Sequence, residues 1–303
     1  MDRRVGSFDI SKDGKYFAFD TGYTEEYAEK IDKDVLSDER LHFYDRETKK
    51  ELWNKNIGEE SPIIFPDGLS VIIYGYESGS FRVYDRQGKK VFDQNQGAEI
   101  RGIDISPDSN FFVLAKEVGQ IHLYKRDGTK LWEKGSHKEG IASITDGASY
   151  ISTYPYSLGL SGIADELNTH KGTVYDKSGN KIMEGFGVLS GNASKIAMLY
   201  PDKVSVLNWP DKTLVKEIVI NMTQIFEMSS VSHTRFSYDG RYLFLKSGIS
   251  IWVYDFLENT NKEIKLPEMI KYPIFFITED GKYLLINPYG TGRTKTIYFY
   301  QVY

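Results

Sequence analysis

The 303-residue chain has no cysteine, which excludes disulfide bonds, thiolate metal ligands and cysteine nucleophiles. It also has no excess of basic residues: 38 Lys and Arg face 43 Asp and Glu, giving a net charge of −5. Because nucleic-acid binding depends on a basic surface, we predict no nucleic-acid partner. No apolar run approaches the roughly 18 residues that a membrane-spanning helix needs, so no transmembrane segment is predicted.

The cellular compartment is not fixed by the sequence. The first residues, "MDRRVGSF", contain no apolar region of a signal peptide. Two N-x-S/T sequons, at Asn192 and Asn221, and the start almost directly on the first strand favour an exported protein, in the cell envelope or outside the cell, whose leader has been removed.

What the sequence does contain is a repeated phrase. "LHFYDRETKKELW", "FRVYDRQGKKVF", "IHLYKRDGTKLW" and "GTVYDKSGNKIM" each place alternating apolar residues on both sides of a tight turn. Alignment on the tyrosine gives spacings of 40, 40, 51, 32, 47 and 46 residues, between Tyr44, Tyr84, Tyr124, Tyr175, Leu207, Tyr254 and Tyr300. A period near 40 to 45 residues is typical of propeller blades.

A second repeated feature, a pair of turn residues, lies upstream of each phrase. Its seven members are Asp13-Gly14, Asp67-Gly68, Asp108-Ser109, Asp146-Gly147, Gly191-Asn192, Asp239-Gly240 and Asp280-Gly281. Asp-Gly suits a hairpin turn because glycine adopts positive φ without steric cost. One repeat is therefore two hairpins, which we name strands a, b, c and d.

The repeated phrase and the series of turn pairs together predict an all-β fold: a seven-bladed β-propeller of four-stranded antiparallel blades. Sheets this small with apolar residues on both sides must be covered on both faces, and a ring of blades does this. The chain is predicted to be one domain, 1–303, with blades at about 5–58, 59–97, 98–135, 136–187, 188–222, 223–268 and 269–303. The aromatic residues that end each phrase are expected to pack between blades.

Closure of the ring is left open by the sequence. The last repeat ends after strand c, so the N-terminal residues complete the seventh blade, or that blade stays three-stranded, or an upstream piece is missing. In the last two cases the C-terminal strand presents an open edge, which predicts self-association.

The turns "SPDSNF", "SKDGKY" and "TEDGKY" resemble the WD40-like repeats of TolB-type propellers, and the phrase around "YDRQGKK" resembles the PQQ-like repeat. The resemblance covers the whole chain and is weakest over residues 188–222. It implies the propeller fold but no single function, because these repeats occur in enzymes, receptors and scaffolds. The Trp-Asp and Gly-His pairs of typical WD40 repeats are absent, and without cysteines the vicinal disulfide of quinoprotein dehydrogenases cannot form. We predict no cofactor.

Function is expected on the face that carries the long b–c connections, residues 20–40 in blade 1, 154–172 in blade 4 and 287–295 in blade 7. The first has eight acidic and three basic residues, and a short helix is predicted after Thr24. Its spacing of acidic residues lacks the glycine and final glutamate of an EF-hand, so no metal site is assigned and a solvated or partner-binding acidic surface is favoured. The weak metal candidates are Asp32, Asp34 and Asp38.

The second connection is apolar with flanking tyrosines, which fits a contact patch or self-packing over the ring. The third is expected to lie beside blade 1. We therefore predict a non-catalytic scaffold for a protein or glycan partner. Its candidate contact residues are Tyr23, Glu25, Glu26, Tyr27, Tyr154, Tyr156, Asp165, Glu166, His170, Tyr289 and Arg293.

Catalytic signatures are missing from the sequence: there is no nucleophile elbow, H-E-x-x-H, P-loop or dinucleotide fingerprint. We assign no catalytic residue. Asp165, Glu166 and His170 are close enough in sequence to form an acid/base group, and some propellers gather carboxylates in the central funnel. The alternative function is accordingly a hydrolase or lactonase with funnel carboxylates, with or without calcium.

Overall fold

The computed structural model describes residues 3–23, 40–58, 60–135, 140–155, 172–185, 187–200, 203–219, 234–247, 250–267, 272–278, 280–289 and 298–302. These residues form 27 β-strands and one short 3-10 turn, Asp146–Ala148. Within them, no helix has the length and apolar character needed to cross a membrane. The prediction of an all-β chain is confirmed.

The strands form seven antiparallel sheets, which we call blades 1 to 7. Blades 1 to 4 consist of β1 (Arg3–Ile10), β2 (Tyr16–Tyr23), β3 (Arg40–Asp45), β4 (Lys50–Asn56); β5 (Ser61–Ile64), β6 (Ser70–Tyr74), β7 (Ser80–Asp85), β8 (Lys90–Asn95); β9 (Ile100–Ile105), β10 (Phe111–Lys116), β11 (Gln120–Lys125), β12 (Lys130–Gly135); β13 (Gly140–Ile144), β14 (Tyr150–Pro155), β15 (Thr173–Asp176), β16 (Lys181–Glu184). Blades 5 to 7 consist of β17 (Gly187–Leu189), β18 (Lys195–Leu199), β19 (Lys203–Asn208), β20 (Leu214–Val219); β21 (Thr234–Phe236), β22 (Tyr242–Ser247), β23 (Ser250–Asp255), β24 (Thr260–Lys265); β25 (Tyr272–Ile277), β26 (Tyr283–Tyr289), β27 (Tyr298–Gln301).

Each sheet runs a-b-c-d in sequence order, as predicted for a seven-bladed propeller. Blades 1 to 6 have four strands, and blade 7 has three among the described residues. Arg3–Val5, which the sequence allowed to complete blade 7, instead pair with Tyr23–Thr21 inside blade 1. Arg3–Val5 therefore do not complete blade 7, which has three strands in the part of the chain that the structure describes.

The core lies between successive blades. One face of blade 1, with Tyr16 and Phe43, shares a buried cluster with Val71 and Tyr84 of blade 2, and five similar clusters join blades 2 to 7 in order. The predicted inter-blade role of the phrase-ending aromatics is confirmed, because the Trp53 ring lies 5.9 Å from that of Tyr84. The same contact recurs between the next two pairs of blades at 6.3 and 6.0 Å.

The a–b turns are stabilised by a hydroxyl group that the predicted series of turn residues did not include. In blade 3, Ser106 Oγ donates to Asp108 and accepts the N–H of Phe111 at 3.0 Å. A serine or threonine accepts the N–H five residues later in six blades, at Ser11, Ser106, Thr145, Ser190, Ser237 and Thr278. The hydroxyl fixes the turn because it satisfies a backbone donor that would otherwise be unpaired.

The position of this serine or threonine shows that the predicted turn residues are wrong in two blades. The positive-φ residue that corresponds to Gly14 is Ala148 in blade 4 and Ala193 in blade 5, with φ of 54° and 56°. The predicted pairs Asp146-Gly147 and Gly191-Asn192 were therefore displaced by one residue. The displacement arose because both stretches contain a glycine one or two positions before the turn residue, which attracts a pattern based on glycine.

The outer strands of blades 1 to 5 each contain a β-bulge. One extra residue on strand d interrupts the register with strand c at Leu52, Val91, Leu131, Ile182 and Val215. A bulge twists the edge and breaks its ladder, so these outer edges are poor templates for another strand.

Candidate functional site

Three predicted contact residues lie on strand b where it approaches one face of the ring. Tyr23 and Tyr289 are the last residues of β2 and β26, and Tyr154 is the next to last of β14. Because every strand b runs in the same direction in this topology, their connections leave from one face, which we call the b–c face. The remaining candidates lie outside the described residues: Glu25, Glu26, Tyr27, Asp32, Asp34, Asp38, Tyr156, Asp165, Glu166, His170 and Arg293.

The b–c face is described best at blades 2 and 3, where the connections are short. Tyr76 and Val118 are exposed there, with 42% and 54% of their surface accessible. The Arg101 guanidinium lies 4.8 Å from the centre of the Tyr76 ring and 2.5 Å from a carboxylate oxygen of Glu117. An aromatic, an aliphatic and an oriented cation therefore share one surface, a combination that is common where proteins bind each other.

Sequence reasoning missed this patch, which we call the Tyr76 patch and define by Tyr76, Arg101, Glu117 and Val118. The sequence analysis placed the functional surface on the longest b–c connections, whereas the connections that carry Tyr76 and Val118 are among the shortest. Arg101 comes from strand a of blade 3, and its position over Tyr76 of blade 2 depends on the packing of two blades. Only the exposed aromatic in a turn, "GYESG", was visible as a signal in the sequence.

In blades 1 and 3, the position two residues before the phrase tyrosine carries a histidine beside a carboxylate. His42 Nδ1 lies 3.4 Å from Glu51, and His122 Nε2 lies 3.2 Å from Glu133. Burial lowers the pKa of His122 to about 4, so this imidazole is neutral at pH 7. Both histidines lie in strand c and serve the packing of their own blades.

On the opposite face of the ring, at the a–b turns, Tyr238 contacts several blades. Its hydroxyl donates to Asp146 of blade 4, and its ring lies 4.9 Å from the Nζ atom of Lys12 in blade 1. Gly191 of blade 5 permits the approach, because a Cβ there would lie 2.6 Å from a Tyr238 ring carbon. A side chain of blade 6 thus contacts blades 1, 4 and 5.

Carboxylates of strand a connect neighbouring blades near the axis. Asp9 accepts the N–H of Ile64 at 2.7 Å, and Asp104 accepts the N–H of Ile144 at 2.9 Å. Burial raises the pKa of Asp9 to about 6 and also raises that of Asp104, while the charge of Arg235 opposes the shift of Asp104. These acidic groups hold the backbone of the next blade.

Two further observations concern ligand binding by the described part of the chain. There, no three His, Asp or Glu side chains are grouped closely enough to hold a metal ion. A groove of about 360 Å³ lies between blades 2 and 3, and Arg126 on its wall is bound to Asp67 and Ser70.

Comparison with known proteins supports the fold. No family model matches the sequence, and no curated protein matches it. Among solved structures, the chain is similar to "KlHsv2 with loop 6CD replaced by a Gly-Ser linker", with a TM-score of 0.63, 12% identity and coverage of 94% of this chain and 89% of that one. It is also similar to the Myceliophteria thermophila Cps50 (Swd1) β-propeller domain, with a TM-score of 0.62, 13% identity and coverage of 99% and 96%. At such low identity the likeness shows the fold alone: this chain is a seven-bladed β-propeller.

Proposed function

We propose that the chain is a non-catalytic scaffold, a single propeller domain over residues 1–303, that binds a protein partner on its b–c face. The observation that carries the proposal is the Tyr76 patch, in which an exposed aromatic residue, an exposed aliphatic residue and an oriented guanidinium share one surface. The long connections of blades 1, 4 and 7 also leave from the b–c face.

The chemistry of the Tyr76 patch favours a protein over a glycan as the partner. Tyrosine and arginine are enriched at the energetic centres of protein interfaces, and Arg101 is held in place by Glu117 and Glu99 at 2.5 and 3.3 Å. A side chain that is already ordered loses less conformational entropy on binding. The exposed aliphatic group of Val118 gives a protein an apolar contact for which a sugar ring has less use.

The candidate residues of the long connections extend the proposed surface. They are Tyr23, Glu25, Glu26, Tyr27, Tyr154, Tyr156, Asp165, Glu166, His170, Tyr289 and Arg293. The funnel hydrolase is the alternative. Against it, the two carboxylates in the described strands a, Asp9 and Asp104, both accept backbone N–H groups of the next blade.

Site-specific photo-crosslinking in the source cells tests which face binds. A benzoylphenylalanine residue is introduced at Tyr76 or Val118 on the b–c face. Matched controls carry it at Leu69 or Ile10 near the a–b turns, which are similarly exposed at 45% and 49%. We expect the same adduct protein from both b–c positions and little or none from the controls, since a photo-crosslink forms only where the probe lies against the partner.

A second variant makes the test specific. Arg101→Gln removes the cation over Tyr76 and should reduce the adduct yield; because the Arg101 side chain is 14% exposed and pairs with Glu99 and Glu117, a loss of about 1–3 kcal/mol of stability is expected, and the crosslinking is done well below the unfolding temperature of the variant. Equal or higher yield from Leu69 and Ile10 would contradict the proposal. Binding to a glycan array that depends on Tyr76 would replace the protein partner with a sugar.

A further inference from the structure

The contacts between successive blades, which we call joints, use equivalent residues in blades 1 to 4 and can be compared position by position. The first residue of strand b is aromatic in five of the seven blades, and it is Tyr16 in blade 1 and Phe111 in blade 3. The Arg86 guanidinium of the next c–d turn lies 5.0 Å from the centre of the Tyr16 ring. In the same way, Lys177 Nζ lies 4.1 Å from the centre of the Phe111 ring. A ring covered by a cation is therefore part of the joints between blades 1 and 2 and between blades 3 and 4.

The joint between blades 2 and 3 lacks this ring, because the first residue of strand b in blade 2 is Ser70. Arg126 holds the position of the cation here. It donates to Ser70 Oγ at 2.9 and 3.2 Å and pairs with Asp67 at 2.5 Å. Its guanidinium also lies 4.9 Å from the centre of the Phe65 ring. The cation of the joint is kept and fixed in place, but strand b supplies no ring for it to cover.

Two other positions of this joint are also occupied by smaller side chains than in blade 1. The phrase-ending aromatic is Trp53 in blade 1 and Trp132 in blade 3, and each indole N–H donates to a backbone oxygen of the next c–d turn, at 3.2 and 2.9 Å. Blade 2 has Phe92 at this position, with a smaller ring and no N–H to donate. Opposite it in strand c, blade 2 has Val83 where blade 1 has Phe43.

The groove of about 360 Å³ between blades 2 and 3 lies at these smaller side chains, since Ser70 and Val83 line it. Val91, which is 49% exposed, adds an apolar wall, and Asn110 and Arg126 add polar groups. The volume is in the range of pockets that bind small molecules. The Arg126 side chain is 27% exposed and already held by its partners, so a ligand that stacks on it does not have to order it.

We propose that this groove binds a free small molecule with one planar aromatic ring. The ring contacts Val83 and Val91 and stacks on the Arg126 guanidinium, as the ring of Tyr16 does with Arg86 one joint earlier. The chain itself indicates the occupant, because neighbouring joints of the same construction are filled by aromatic rings of their own.

A free molecule fits the groove better than a protein does. Of the residues that line the groove, only Val91 is an exposed large hydrophobic side chain, which is little apolar surface for a protein interface. The groove is formed by the start of strand b and the c–d turn, whereas the Tyr76 patch lies at the b–c connections. This inference therefore does not depend on the proposed function.

Calorimetric titration of the purified chain with p-cresol, the free ring of a tyrosine side chain, tests the proposal. A dissociation constant of about 1 mM is expected, because a single ring gains affinity from few atoms. The control ligand is methylcyclohexanol, which has the same heavy atoms but a puckered ring without π electrons, and it should bind about fivefold more weakly. Amide NMR shifts locate the site without a variant: the largest changes with p-cresol should fall on Ser70, Asn110 and Arg126.

Two pairs of variants make the test specific. Ser70→Phe gives blade 2 the ring that Phe111 provides in blade 3 and should abolish binding, whereas Ser178→Phe adds the same ring at an exposed turn of blade 4 and should not. Val91→Ser removes the apolar wall at an exposed position and should weaken binding about fivefold. Its control, Leu131→Ser, changes the equivalent bulge residue of blade 3 and should leave binding unchanged.

The proposal would be overturned if p-cresol showed no saturable binding up to about 10 mM, or if methylcyclohexanol bound equally well. Shift changes centred on another joint would overturn it too, as would binding that both Ser70→Phe and Val91→Ser leave intact. A Gly-Gly-Tyr-Gly-Gly peptide should bind no more tightly than p-cresol. Tighter binding of the peptide would replace the free molecule with a side chain of a protein partner.

Discussion

The buried carboxylate of Asp9 provides the sharpest test of the forces that hold neighbouring blades together. Burial raises its pKa from 3.8 to about 6, against the opposing effect of the backbone N–H groups of Ile64 and Ile10. A shift of about two units corresponds to about 3 kcal/mol of unfavourable free energy for the ionised form in the folded state above pH 7. Asp9→Asn removes the charge and keeps a carbonyl oxygen for the N–H of Ile64.

The sign of the pH dependence follows from the raised pKa. Between pH 4 and 6 the folded state binds more protons than the unfolded state, so the stability of the parent falls as pH rises through this window and is constant above it. Asp9 is half-buried, and the amide NH₂ of the variant needs a partner of its own, so part of the 3 kcal/mol is lost. We expect Asp9→Asn to stabilise the chain by about 1–2 kcal/mol at pH 7.5 and by less than half as much at pH 4.5.

Urea unfolding at the two pH values measures this difference. Asp13→Asn is the control, because its carboxylate accepts from Ser11 and its pKa is lowered. That lowered pKa contributes stability at neutral pH which is lost as pH falls, so Asp13→Asn should destabilise the chain at pH 7.5. The reasoning would be refuted if Asp9→Asn destabilised the chain equally at both pH values, since the hydrogen bond to Ile64 would then outweigh the cost of the buried charge.

Three further predictions concern other parts of the ring. Gly191→Ala should destabilise the chain by about 1–3 kcal/mol in thermal unfolding, because its Cβ would lie 2.6 Å from the ring of Tyr238, whereas Gly135→Ala, with no atom within 4 Å, should be nearly neutral. Ser106→Ala should cost about 1–2 kcal/mol through the unpaired turn amide, and a neutral result equal to that of the exposed Ser178→Ala would count against the role of the hydroxyl. The His122 side chain should show no NMR titration between pH 8 and 5, since its pKa is about 4, and a midpoint near 6.5 would contradict its burial.

The fold could be predicted from the sequence because each blade repeats the same local pattern. Alternating apolar residues and the Asp-Gly turns are properties of adjacent residues, and seven copies reinforce one another. The pattern failed by one residue in blades 4 and 5, where Ala148 and Ala193 adopt the positive φ that glycine was expected to take. A pattern based on the serine or threonine at the start of the turn, Thr145 or Ser190, would have found the correct register.

The site was less accessible to prediction, because it depends on side chains from different blades. Arg101 over Tyr76, and Tyr238 against Asp146 and Lys12, are contacts between residues 25 to more than 200 positions apart. No periodicity in a single sequence reports which residue of one blade reaches another. Long connections were a visible signal, but length indicates where variation is tolerated and not which short turn presents an exposed aromatic group.

The contacts of Tyr238 have a consequence for how a local change spreads around the ring. The side chain belongs to blade 6, yet its hydroxyl is bound to Asp146 of blade 4 and its ring lies beside Lys12 of blade 1. One side chain therefore links three blades that are not neighbours along the chain. A substitution that displaces the a–b turn of any one of these blades should also disturb the turns of the other two.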